Sequence, residues 1–202
     1  MEKEVRNLAI EQSEVRADPE TGIISGYAMV FNSLSKLIYG RFREKILPES
    51  MNGVIVKSDV LALLDHNKSR GVLARSMFGK GTLTLTTDDK GLRYEFEPPK
   101  TALADEVKEY LRRKDIQGSS FDFSLDKDGE EWEKVADGTY VRTIIKYNEI
   151  YDVSLVFTPA YPETTAAIRS LEAWENEQDP DKKVILEKYY QGLEDQMRVF
   201  KQ

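Results

Sequence analysis

Between Gly81 and Phe96 the chain reads GTLTLTTDDKGLRYEF, two runs of alternating character around Asp88-Asp89-Lys90-Gly91. Period-two alternation puts successive side chains on opposite faces of a pleated strand, so this segment is committed to an antiparallel hairpin, with Gly91 expected to supply the positive φ of the reversal. Other segments follow the same grammar. NLAIEQSEV and GIISGYAMVF flank the turn-forming Asp18-Pro19-Glu20-Thr21-Gly22 and predict a second hairpin from Asn7 to about Asn32. Val60-Leu61-Ala62-Leu63-Leu64 reads as a buried strand that emerges into the polar Asp65-His66-Asn67. Three further strands are predicted at Ser119–Leu125, Tyr140–Tyr147 and Ile150–Phe157, with Asp137-Gly138 as the turn before the second of them.

One helix interrupts the strands. After Pro98-Pro99 stops the sheet, residues 101 to 114 place Leu103, Val107, Tyr110 and Leu111 at helical spacing, with Thr101 as cap and Arg112, Arg113 and Lys114 in the last turn, where the helix dipole favours cations. The expected class is α+β, mostly antiparallel β with a barrel-like sheet core, surrounding helices and a C-terminal helical tail. Thr164 to Trp174 is predicted helical and residues 175 to 180 form a linker. From Lys182 to Gln202, Leu186, Tyr190, Leu193, Met197 and Phe200 recur at four- and three-residue spacing, the seam of a helix that packs on a partner. The chain length of 202 residues fits one domain, assigned to residues 1–170, followed by a linker and helix over 171–202.

Composition removes whole classes of chemistry. With Cys 0, disulfides, thiolate nucleophiles, Fe–S clusters and cysteine-ligated zinc are excluded, and a single His excludes sites built on two or three imidazoles. No metal or cofactor is therefore expected. The net charge of -7, with no segment that concentrates Lys and Arg, argues against nucleic acid as a partner. The N-terminus lacks an apolar stretch of signal-peptide length and no run approaches the roughly 20 apolar residues of a membrane span. A soluble, intracellular protein without a membrane partner is expected.

Three segments could do chemistry. His66 follows a long apolar strand and stands between Asp65 and Asn67. Such a histidine is either a satisfied polar group at the core's edge or a general base held at its rim. In Gly118-Ser119-Ser120-Phe121-Asp122-Phe123-Ser124, an extended backbone puts Ser120, Asp122 and Ser124 on one face and Ser119, Phe121 and Phe123 on the other. If the phenylalanines are core, Ser120 faces solvent or a cleft. In the strand Glu149-Ile150-Tyr151-Asp152-Val153-Ser154-Leu155-Val156, an acid sits inside an apolar run. Asp152 is either an edge-strand carboxylate that blocks aggregation or a buried group in need of a hydrogen-bonding partner such as an imidazole N–H.

Taken together, these segments resemble the prohead (procapsid maturation) proteases of tailed bacteriophages, a serine protease family related to the herpesvirus assemblins. Four blocks carry the resemblance, in the family's order from about Ile24 to Arg169. They are Leu63-Leu64-Asp65-His66-Asn67; Leu73-Ala74-Arg75 with Gly81-Thr82-Leu83-Thr84-Leu85 and Gly91-Leu92-Arg93-Tyr94; Asp115-Ile116-Gln117-Gly118-Ser119-Ser120-Phe121-Asp122-Phe123; and Tyr151-Asp152-Val153-Ser154-Leu155-Val156 with Pro159-Ala160-Tyr161 and Ala166-Ala167-Ile168-Arg169. Two departures stand out: Asp152 where Glu is commoner, and Ala74 where Gly is usual before Arg75.

The resemblance implies Ser120 as nucleophile, His66 as general base and Asp152 as the group that orients it, with Glu149 as the alternative acid. Asp65 is set aside because, if it continued the strand, its side chain would point away from that of His66, and Asp122 is left an electrostatic role. A metal hydrolase using His66 with Asp65, Asp122 and Asp152 does not match a zinc ligand pattern. Backbone N–H groups near Ser120, or Arg75, are the candidate oxyanion donors, with a structural salt bridge as the other reading of Arg75. The implied function is a serine endopeptidase that removes scaffold segments from the major capsid protein, and cleaves itself, inside the assembling procapsid in the host cytoplasm. The implied partners are the capsid protein with its scaffold segment and, through the 182–202 helix, a second copy. The rival reading is a non-catalytic scaffold or assembly factor of the same fold.

Overall fold

Strands make up most of the regular secondary structure of the chain, which the computed structural model describes over residues 2–158 and 165–178. In order these are β1 (Glu4–Ala9), α1 (Ile10–Ser13), β2 (Arg16–Ala17), β3 (Ile24–Val30), β4 (Phe42–Ile46), β5 (Asp59–Leu64), β6 (Ala74–Met77), β7 (Lys80–Gly81), β8 (Leu83–Thr87), β9 (Gly91–Phe96), α2 (Ala102–Arg113), β10 (Gly118–Leu125), β11 (Glu130–Lys134), β12 (Tyr140–Ile144) and β13 (Tyr147–Val156). These belong to one compact unit that ends at Thr164; a second unit, starting at Thr165, contains α3 (Thr165–Gln178). The expected Pro159-Ala160 turn and the 182–202 helix lie outside the described residues. Residues 175 to 178, expected as linker, continue α3.

The described strands form three sheets rather than one closed barrel: β1-β10-β13-β5-β6-β7, β2-β3-β9-β8 and β11-β12-β4. Most pairs are antiparallel, but β5 with β13 and β4 with β12 run parallel. Parallel partners need long crossovers, and β5 and β13 are separated by residues 65–146. The core lies where apolar faces meet: Val60, Ala62, Leu64, Phe121, Phe123, Val153 and Leu155 pack with Leu92, Tyr94, Phe96, Met29 and Ile24. Phe121 and Phe123 are buried and stacked on each other, with ring centroids 5.1 Å apart. Each is worth about 1.5–3 kcal/mol in transfer free energy alone.

The Gly81–Phe96 hairpin forms as β8 and β9, with Leu92, Tyr94 and Phe96 inward. The reason for Gly91 differs from expectation. It is not among the positive-φ glycines; a Cβ there would lie 1.9 Å from the Met29 carbonyl oxygen of β3, so close backbone approach is what excludes a side chain. The Asp88 side chain closes the turn by accepting from the N–H groups of Lys90 and Gly91 at 2.9 and 3.0 Å.

The predicted Asn7–Asn32 hairpin survives only as the short β2–β3 pair around the Asp18 turn. NLAIEQSEV is not one strand: Ile10–Ser13 forms a helical turn that ends at Glu14 in the left-handed conformation, and this releases β1 to pair with β10 instead. Tyr147 likewise belongs to β13, not to the strand that starts at Tyr140. The amphipathic helix is α2, with Thr101 Oγ1 accepting from Ala104 N at 3.3 Å and Lys114 ending it in the left-handed region. Among the described residues no helix is long and apolar enough to cross a membrane.

Candidate active site

The six-stranded sheet places the three singled-out segments side by side. Central β13 is flanked by β10 on one side and β5 on the other. Across the first ladder Ser120 pairs with Ser154 and Asp122 with Asp152; across the second, Leu61 pairs with Asp152 and Leu64 with Leu155. Because directly opposed residues share a face, Ser120, Asp122, Asp152 and Ser154 leave the sheet together. Phe121 and Phe123 enter the core, and Ser120, on the opposite face, is itself buried and does not face open solvent.

His66 reaches this face from the turn after β5. The strand's ladder continues one step, with Asp65 N–H donating to the Leu155 carbonyl at 2.9 Å. The chain then turns sharply, and Asp65 and His66 both adopt left-handed backbone, with φ 49 and 56. Asp and His tolerate that region better than most residues, but the conformation persists only where surroundings hold it. Here Asn67 N–H donates to the Leu64 carbonyl at 3.0 Å and the Asp65 carboxylate accepts from Phe157 N–H at 3.2 Å. Asp65 is therefore occupied in the turn. It lies away from the imidazole because of this turn, not because of strand alternation.

Both imidazole nitrogens are engaged. His66 Nδ1 lies 2.7 Å from Asp152 Oδ1, and Nε2 lies 2.6 Å from Ser120 Oγ. A carboxylate oxygen accepts, so Nδ1 carries the hydrogen and Nε2 is left to accept from the hydroxyl. Ser120 Oγ has a second acceptor, the Arg6 carbonyl on β1, at 3.0 Å. Ser120 and Asp152 are buried, whereas the His66 side chain is 26% exposed, so the imidazole is the open side of the cluster. Ser154 Oγ donates to Asp152 Oδ1 at 2.7 Å and stands 3.3 Å from His66 Nδ1.

The Ser119-Ser120 pair is resolved by the pleat. Ser119 points into the core, where its hydroxyl meets Tyr94 Oη at 2.6 Å; burial raises the Tyr94 pKa well above the phenol range, with the Ser119 hydrogen bond opposing it. Glu149 stands opposite Ser124, farther along β10 from Ser120 than the Asp122–Asp152 row. Arg75 on β6 forms a two-pronged ion pair with Asp59, at 2.7 and 2.5 Å, and its side chain is half exposed. A fork already matched to a carboxylate is the salt-bridge reading of Arg75.

Sequence reasoning passed over two features. Ser154 was findable, since it lies two residues from Asp152 on the same strand and must share its face. The other is a buried ion network: Arg6 pairs with Glu44 at 2.8 and 2.7 Å and with Glu4 at 2.8 Å, while Arg142 pairs with Glu4 at 2.7 Å, with Glu44 at 3.1 Å and with Glu130. It ties β1, whose Arg6 carbonyl touches Ser120, to β4, β11 and β12. Its members are scattered from residue 4 to residue 142, and nothing in their local sequence marks them as partners.

A hydroxyl, an imidazole and a carboxylate in series on one sheet face define, as a class, a candidate serine-type hydrolase centre. The chain belongs to the caudovirus prohead serine protease family, whose model matches residues 7–178. Among solved structures it is similar to the capsid assembly protease gp21 of bacteriophage T4, at 12% identity and TM-score 0.40, over 78% of this chain and 98% of that one. No curated protein matches it.

Proposed function

We propose that this chain is a serine endopeptidase in which Ser120 is the nucleophile, His66 the general base and acid, and Asp152 the group that fixes the His66 tautomer. The observation that carries the reading is the bridging imidazole, with Ser120 on one nitrogen and Asp152 on the other. Serine is a poor nucleophile until a base takes its proton as the bond forms. As Ser120 Oγ attacks the scissile carbonyl carbon, its proton passes to His66 Nε2, and Asp152 stabilises the imidazolium through Nδ1–H. The tetrahedral intermediate collapses when His66 returns that proton to the leaving amine and the C–N bond breaks. A water, deprotonated by His66, then attacks the acyl-enzyme ester and frees Ser120. The Arg6 carbonyl is a resting acceptor for the hydroxyl, occupied when the imidazole is protonated and cannot accept.

Family membership supports a role in prohead maturation. We assign the substrate as scaffold segments of the major capsid protein, and the protease itself, within the assembling procapsid in the host cytoplasm. Enclosure with many substrate copies gives an effective concentration on the order of millimolar, so high intrinsic affinity is unnecessary. In this reading residues 1–170 are the protease domain and residues 171–202 its linker and helix, of which residues 182–202 dock on scaffold or a second copy and form a self-cleavage product. The test is co-expression of capsid precursor with wild-type protein or Ser120→Ala. Shortened capsid protein with wild type alone is expected. Processing by Ser120→Ala would make the chain an assembly factor rather than the peptidase.

A further inference from the structure

Asp122 occupies the candidate site without a place in the proton relay. It lies two residues beyond Ser120 on β10, shares its face, and is the register partner of Asp152. Directly opposed residues have Cβ atoms roughly 5 Å apart, so two carboxyl groups face one another beside a single imidazole. Asp122 Oδ2 lies 3.5 Å from Lys3 Nζ, while Oδ1 is buried and has no hydrogen-bond partner. Lys3 is half exposed, with its ammonium 3.5 Å from the Tyr151 ring centroid. The groups facing Asp122 are therefore Lys3 from the segment before β1, Asp152 and Tyr151 from β13, and His66 from the turn after β5. Ser120 and Ser124 flank it on its own strand.

A half-paired carboxyl group is a poor choice for sheet packing; a β-branched residue would serve the strand better. We propose that Asp122 is a positioning residue that sets the pH range of the relay by adding a second negative charge beside His66, with Lys3 as its counterweight. The inference rests on the reading of Ser120, His66 and Asp152 as that relay. Burial, the largest effect, holds the Asp122 pKa above its ordinary value, Asp152 adds to this, and Lys3 and His66 oppose it. The His66 contribution has the sign the proposal needs. Coupling is reciprocal, so an imidazolium that favours the Asp122 carboxylate is itself favoured by it. Ionised Asp122 therefore adds a favourable charge beside the imidazolium that forms during the reaction.

The chain has one histidine, so the imidazole C–H signals in a proton NMR titration report His66 alone. With the full chain, Asp122→Asn is expected to move the titration midpoint down by about one pH unit. Lys3→Gln is expected to move it up, by less. The acid limb of kcat/KM should follow each variant in the same direction. An unmoved midpoint in Asp122→Asn overturns the proposal and leaves the relay reading standing. If that variant does not fold, an unmoved or lowered midpoint in Lys3→Gln overturns it. Hydrolysis that survives Ser120→Ala overturns the relay reading instead, and the NMR shift, which needs no turnover, keeps the two failures apart.

Discussion

Ser154 donates its hydroxyl hydrogen to Asp152 Oδ1 at 2.7 Å, the same oxygen that receives His66 Nδ1–H. This hydrogen bond holds the carboxylate in the plane where the imidazole needs it, in a buried setting where bonds to charged groups are worth about 1.5–3 kcal/mol. Ser154→Ala is expected to lower kcat about ten- to a hundredfold with KM little changed, since Ser154 is buried and its hydroxyl bonds to the Asp152 carboxylate. Steady-state kinetics on a capsid-derived peptide measure this. A raised KM at unchanged kcat would place Ser154 in substrate binding instead.

The identity of the acid separates cleanly. Asp152→Asn keeps the shape but favours the wrong imidazole tautomer, and the expected loss is on the order of 10⁴ in kcat. Glu149, paired in register with Ser124, should tolerate Gln with near wild-type kcat. The same assay on both variants decides it, and a collapse in Glu149→Gln with Asp152→Asn active would move the role.

Much of this site was legible in the sequence because it obeys the pleat. Ser120, Asp122 and the two phenylalanines were divided between faces by alternation alone, and an acid inside an apolar strand at Asp152 called for a partner. What alternation could not supply is adjacency between strands. That β13 sits between β5 and β10, parallel to one and antiparallel to the other, depends on crossovers that leave no local periodicity. The Asp65–His66 turn was hidden for a different reason: its left-handed backbone is sustained by hydrogen bonds from Asn67 and Phe157, both beyond the strand. The Glu4–Arg6–Glu44–Arg142 network was invisible because buried charges carry no pattern until the fold pairs them, and the constraint on Gly91 comes from a third strand, β3, not from its own turn.

That network predicts an acid limit to stability. Burial alone would raise the Glu4 pKa, but Arg142 and Arg6 hold it below the ordinary value of 4.5. A carboxylate with a lowered folded-state pKa stabilises the fold above its unfolded value, and this contribution is lost as pH falls through the folded one. The midpoint of thermal unfolding should therefore decline as pH drops below about 4.5. Glu4→Gln should unfold more readily at neutral pH and show a shallower decline over the acid window. An identical acid slope would remove Glu4 from the account.

Arg75→Ala tests the oxyanion assignment. With its fork on Asp59, Arg75 is expected to leave kcat and KM near wild-type values. A fall in kcat alone, restored by neither salt nor the Asp59→Asn background, would return Arg75 to the reaction.

The central claim is that one hydroxyl, activated by the single imidazole, attacks the substrate carbonyl. Labelling the intact protein with a fluorophosphonate and mapping the adduct by peptide mass spectrometry tests it most directly. The account predicts one adduct, on Ser120, formed by the wild-type protein and lost in His66→Ala. An adduct on another residue, or labelling of Ser120 that is as fast without the imidazole, would contradict it.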